Sequence, residues 1–176
     1  MPDYRQRVEE SQGSFRKLVA RLPGFKGYIA KEARREADKM LRTYIGRQLD
    51  QQRSRMQRLG AKLATAGNLD AVTSLEQVRM RLQTISDKIK TATYGYAGFF
   101  DAATVNEKEL DGLYDFDNSL MDEVEAITGA VSNLTTAQGE AFDAALDPVS
   151  AAIDDLNAVW SKRQDVITGG SATQAV

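Results

Sequence analysis

From Ile45 onward the apolar residues recur at alternating spacings of four and three: Ile45, Leu49, Met56, Leu59, Leu63 and Ala66, with Gln52 in the slot between. That spacing places side chains along one narrow seam of a helix. Upstream, Ala33, Ala37, Met40, Leu41 and Tyr44 continue a broader stripe. No proline interrupts Tyr28 to Ala66, and the isolated Gly46 and Gly60 each cost about 1 kcal/mol against alanine. The pattern predicts one helix over 28–66, about 60 Å long at 1.5 Å per residue. A helix of that length cannot cover its own seam, so the rest of the chain or another chain must do so.

The same arithmetic predicts four more elements. Tyr4, Val8, Phe15, Leu18 and Leu22 share a face of a first helix over 3–22, with Arg5, Arg7, Arg16, Lys17 and Arg21 on its polar side, and Pro23-Gly24 end it. Gly67 is placed as a C-cap, and Asn68 or Asp70 as the N-cap of a helix carrying Leu75, Val78, Leu82, Ile85, Ile89 and Ala92. So short a connection makes that helix an antiparallel neighbour of the long one. An acidic helix from Asn106 has Leu110, Leu113, Phe116, Leu120, Val124, Ile127, Val131 and Leu134 on its seam; its carboxylates, Asp115, Asp117 and Asp122 among them, are expected on its outer faces. Asn133, Thr135 and Thr136 mark a turn into a last helix with Phe142, Leu146, Val149, Ile153, Leu156, Trp160, Arg163 and Ile167 in phase. Asp147-Pro148 reads as a cap and first turn, where this segment is expected to kink or restart. The fold class is therefore all-α: an elongated antiparallel bundle or coiled-coil hairpin, one helical domain over 1–167 and a disordered tail over 168–176.

Charge changes the picture more than composition does. The net charge is −2, yet residues 1–93 carry 20 Lys+Arg against 10 Asp+Glu, and residues 94–176 carry 3 against 15. Such asymmetry points either to two halves that neutralise each other or to a polyanionic partner for the basic half. We expect the first. Along the long helix, Arg34, Arg35, Lys39, Arg42, Arg47, Arg53, Arg55, Arg58 and Lys62 read as spread round the polar circumference, diluted by Glu32, Glu36, Asp38 and Asp50. Gln52 and Arg163 interrupt apolar seams; they either set register as buried polar residues or sit at a seam's edge.

Candidate chemistry is sparse. There is no cysteine and no histidine, so thiolate chemistry, disulfides, and the commonest general base and metal ligand are all missing. Asp115, Asp117 and Ser119 imitate the opening of a calcium loop, but Leu120 and Ala126 stand where glycine and a bidentate glutamate belong. No phosphate-binding or dinucleotide-binding glycine motif occurs. The expectation is a non-enzyme with no metal, cofactor or small-molecule substrate. Gly24 and Gly27 form a GxxG, which in a KH domain clamps a nucleic-acid backbone, but no strands for such a domain are predicted.

Three surfaces remain as candidates for partners. Phe25 and Tyr28, with Tyr94, Tyr96, Phe99 and Phe100 of the glycine-punctuated stretch 91–105, make an aromatic corner suited to a protein partner or to a second copy. Phe15, Leu18 and Val19 beside Arg16 and Lys17 suit an anionic membrane surface. Arg34, Arg35, Lys39, Arg42 and Arg53 suit charge-led contact with nucleic acid.

LPGFKGYIAKEARREADKMLR (22–42) and TATYGYAGFFDAATVNEKELDGLYDFD (91–117) together resemble an uncharacterised family of bacterial helical proteins. The resemblance implies a mostly helical cytoplasmic protein and occurrence alongside membrane-associated band-7 (SPFH) scaffold proteins. It brings no catalytic residue or cofactor. With no apolar run long enough to span a bilayer, the function expected is a non-catalytic interaction or scaffold protein. Its expected place is the cytoplasm or the inner face of the membrane, and a peripheral membrane role and charge-led nucleic-acid binding are the alternatives.

Overall fold

The computed structural model describes residues 14, 16–23, 31–92 and 107–167. Those residues are all-α, with no strand among them. A short helical stretch, α1, covers 16–21; four long helices follow, α2 (Lys31–Thr65), α3 (Leu69–Thr91), α4 (Glu107–Thr136) and α5 (Glu140–Ile167). The aromatic stretch, Phe15, and Gly24 to Ala30 with Phe25 and Tyr28 lie outside the described residues.

Local chemistry ends α2 and starts α3. At the end of α2 the Gly67 amide donates to Ala64 and the Asn68 amide to Leu63, both at 3.0 Å. That pair of bonds closes a Schellman turn, which needs a left-handed residue, and Gly67 has φ 77°. Asn68 then caps α3, its side-chain oxygen accepting from the Ala71 amide at 3.3 Å. Gly139, φ 58°, makes the corresponding reversal before α5.

One expectation is corrected here. The last helix neither restarts nor breaks at Asp147-Pro148; α5 runs unbroken through Pro148. A proline deprives the carbonyl four residues earlier of its partner. That carbonyl belongs to Ala144, which is exposed, as is Pro148, so water can satisfy it and the helix survives.

The chain divides into two compact units, and α2, α4 and α5 each contribute residues to both. The first comprises Met1–Tyr44, Thr93–Leu120 and Val159–Val176; its core includes Leu18, Leu22, Leu41, Leu113, Leu120, Trp160 and Ile167. The second comprises Ile45–Ala92 and Met121–Ala158. There Ile45, Leu49 and Met56 pack in a core with Leu75, Leu82, Ile85, Ile89, Val124, Ile127, Val131, Leu146, Val149 and Leu156, the seams that the periodicity predicted. Leu59 and Leu63 are only half-buried and Ala66 is exposed, so the α2 seam opens toward the turn.

Within the second unit α2 and α3 are antiparallel, as the short connection requires. Gly46 faces Lys90 and Gly60 faces Leu75, so positions rise on one helix as they fall on the other. A Cβ on Gly46 would stand 2.6 Å from the Lys90 Cε. Glycine there lets the lysine cross α2 and donate to Asp50, which Ser86 also approaches at 3.4 Å. Arg81 pairs with Asp154, and Lys88 donates to Asn157 at 3.1 Å, so α3 and α5 lie side by side and run in the same direction.

Two glycine substitutions should separate these roles. Gly67→Ala forces a left-handed alanine and should lower stability by about 1–2 kcal/mol. Gly129→Ala, exposed inside α4 with nothing near the new methyl, should raise it by up to about 1 kcal/mol. Urea denaturation of both variants checks the signs.

Candidate functional site

The first unit buries four formal charges. Asp38 and Arg42 sit one turn apart on α2, Asp117 lies on α4 and Arg163 on α5. Arg163 is 0 % exposed, Asp117 4 % and Asp38 5 %. The Arg163 guanidinium donates to Asp38 at 2.7 Å and to Asp117 at 2.5 Å, so one side chain bridges three helices. Arg42 Nε donates to the other oxygen of Asp38 at 2.9 Å. The Trp160 ring lies 5.5 Å from the guanidinium carbon, a cation–π contact from the preceding turn of α5. Two arginines and two aspartates leave the cluster formally neutral, which lets it persist away from water. Burial pushes the Asp117 carboxyl above its ordinary value; Arg163 opposes that shift, and the neighbouring Asp38 carboxylate adds to it.

Several sequence expectations change at this cluster. Asp117 is not on the outer face of the acidic helix, and Asp38 and Arg42 do not belong to the solvated circumference of α2; all three point inward. Arg163 and Gln52 are not at a seam's edge but buried, Gln52 at 2 % with its side-chain oxygen lacking a partner among the described residues. The reason is visible in the spacing. Asp38 precedes Leu41 and Ile45 by three and seven residues, and Asp117 stands between Leu113 and Leu120, so both are in phase with apolar seams. Asp115 and Asp117, paired in the calcium-loop comparison, have separate partners: Asp115 accepts from the Ser14 hydroxyl at 2.6 Å.

The second unit carries the contrasting surface. Arg47, Arg55, Arg58 and Lys62 of α2 are all exposed, and none is held by a side-chain hydrogen bond or ion pair among the described residues. At 3.6 residues per turn the four fall within about 80° of arc. No carboxylate occurs between Asp50 and Asp70, and the other exposed positions from 51 to 62 are Gln51, Ser54, Gln57 and Ala61. Within this unit the spread narrows: with Arg53 set aside, which is half-buried and 3.8 Å from Asp50, the remaining α2 cations form an aligned ridge, while Lys39, earlier on the helix, is exposed at another angle. Residues 121–158, in the same unit, hold eight carboxylates and no cation. The Glu123 carboxyl there is pushed above its ordinary value by partial burial and by the neighbouring Asp155 and Asp122.

The remaining candidates are dispersed. Leu18 is buried, with α1 tied to α4 where Asn118 donates to the Ser14 carbonyl and Arg21 to the Asn118 carbonyl; Val19 is half-buried, and Arg16 and Lys17 are exposed. The apolar face assigned to a membrane is thus packed at Leu18. Lys39 is exposed; Arg34 and Arg35 lie on α2. No described helix is long and apolar enough to cross a membrane. Comparison of the chain with protein-family models, curated proteins and solved structures found no match.

Removing Arg163 strands the buried Asp117 and leaves Asp38 with Arg42 alone, so Arg163→Met should cost about 3–5 kcal/mol by chemical denaturation. Asp117→Asn should cost less, because burial already favours the neutral acid. Its pH dependence has a definite sign. A carboxyl raised in the folded state contributes stability that is full below the unfolded value and lost as pH rises through the folded one. The wild type should therefore gain on Asp117→Asn as pH falls from neutral into the ordinary aspartate range; a deficit of the variant that narrows in acid would reverse the assignment.

Proposed function

We propose that this chain is a non-catalytic interaction or scaffold protein, and that its working surface is the outer edge of α2 in the second unit. The observation that carries this reading is the alignment of Arg47, Arg55, Arg58 and Lys62, exposed and unengaged among the described residues, on one edge. Unpaired cations are a poor means of stabilising a helix and a good means of steering an acidic partner. The ridge spans about 22 Å, the length of four helical turns, which suits the flank of another helix. The Asp38–Arg42–Asp117–Arg163 cluster of the first unit is buried and formally neutral, so it supports architecture more than recognition. A cytoplasmic scaffold is the setting that this reading implies.

A second reading has one observation in its favour. An open line of cations also suits phosphates, whether of nucleic acid or of lipid headgroups. The eight carboxylates of residues 121–158 in the same unit repel carboxylate and phosphate partners alike, so the choice rests on which probe is held more tightly.

Retention on immobilised poly-glutamate tests the surface. The wild type should be held at low salt and released as salt rises, and Arg55→Glu with Arg58→Glu should pass through unretained. A wild type that ignores poly-glutamate sinks the reading. Tighter retention on duplex DNA or on vesicles of anionic lipid would move the assignment to phosphates.

A further inference from the structure

The α2 ridge has a counterpart elsewhere in the same unit. On α5, Glu140, Asp143, Asp147 and Asp154 are all exposed and fall within about 60° of arc. Between and beside them stand Ala151 and Ala158, also exposed, so the carboxylates rise from a low surface that long arginine side chains can reach across. Asp154 already accepts from Arg81 of its own chain, and a carboxylate has room for a second donor.

Spacing makes the match specific. Measured along the axis from Lys62 back through Arg58 and Arg55 to Arg47, the cations stand at about 0, 6, 10.5 and 22.5 Å. Measured forward from Glu140 through Asp143 and Asp147 to Asp154, the carboxylates stand at about 0, 4.5, 10.5 and 21 Å. Two antiparallel helices would thus bring four opposite charges abreast. The ridge is unengaged among the described residues of its own chain and so is open to a complement from another molecule.

Resting on the interaction reading above, we propose that the partner is a second copy of this chain: the α2 ridge of one copy docks antiparallel on the α5 carboxylate row of the next. Lys62 meets Glu140, Arg58 meets Asp143, Arg55 meets Asp147 and Arg47 meets Asp154. The contact joins two different surfaces, so it propagates from copy to copy unless the geometry closes a ring or a reciprocal pair. Exposed ion pairs of this kind are weak and screened by salt, so assembly is concentration-dependent and reversible.

Sedimentation velocity of the full chain tests it. At low salt the mean sedimentation coefficient should rise with concentration, and at high salt it should fall to that of the monomer. Arg55→Glu with Arg58→Glu should be monomeric, and so should Asp143→Lys with Asp147→Lys. An equimolar mixture of the two should associate again, because one supplies an intact carboxylate row and the other an intact ridge. All the changed side chains are exposed, so circular dichroism should report unchanged helicity; should either pair of changes lower it, Arg58→Gln and Asp143→Asn replace them and should weaken association instead. A wild type that stays monomeric at low salt, assembly that survives high salt, or a mixture that fails to associate overturns the proposal. A monomer still retained on poly-glutamate would leave the ridge as a binding surface and remove only the second copy as its partner.

Discussion

The guanidinium of Arg163 holds two carboxylates from two other helices in a place that water does not reach. Asp38 and Asp117 would repel each other if left alone, and neither has solvent to disperse its charge. The arginine therefore fixes where α2, α4 and α5 meet in the first unit: slide any one of them by a turn and a buried charge loses its partner. Apolar seams are forgiving of such slips, because one leucine resembles another. A planar fork with two occupied edges is not. Arg42 and the ring of Trp160 complete the enclosure from α2 and α5.

This changes how the separation of charge along the chain is understood. Two halves of opposite sign suggest a basic segment embraced by an acidic one. The pair Arg81–Asp154 has that sense. The most buried pair across the halves has the opposite sense, an arginine of the acidic half held by an aspartate of the basic half. Arg53 and Arg79 meet carboxylates of their own helices. Among the described residues, neutralisation thus combines pairs within a helix with a few pairs between helices, and the α2 ridge is left over. An α2–α3 portion with nine cations against four carboxylates and an α4–α5 portion with eight carboxylates and no cation make the second unit strongly bipolar.

Much of the fold was legible in residue spacing. The seams of α3, α4 and α5 agree with burial nearly residue by residue, and the Gly67-Asn68 turn is where the punctuation placed it. Pro148 was misleading because a proline rule concerns a hydrogen bond, and an exposed carbonyl can lose that bond to water. The ridge was obscured by counting every cation of α2 together. Asp38 and Asp117 were obscured by assigning charged residues to the surface, although their phase put them among leucines.

The sequence by itself determined the helices, their seams, their caps and the imbalance of charge, because each of these depends on neighbours within a turn or two. It could not determine which charges would be buried together, since Asp38, Asp117 and Arg163 lie far apart in the chain and become partners only when three helices converge. Nor could it separate the engaged cations of α2 from the unengaged ones. That distinction depends on which face of the helix is covered, and coverage is a property of packing.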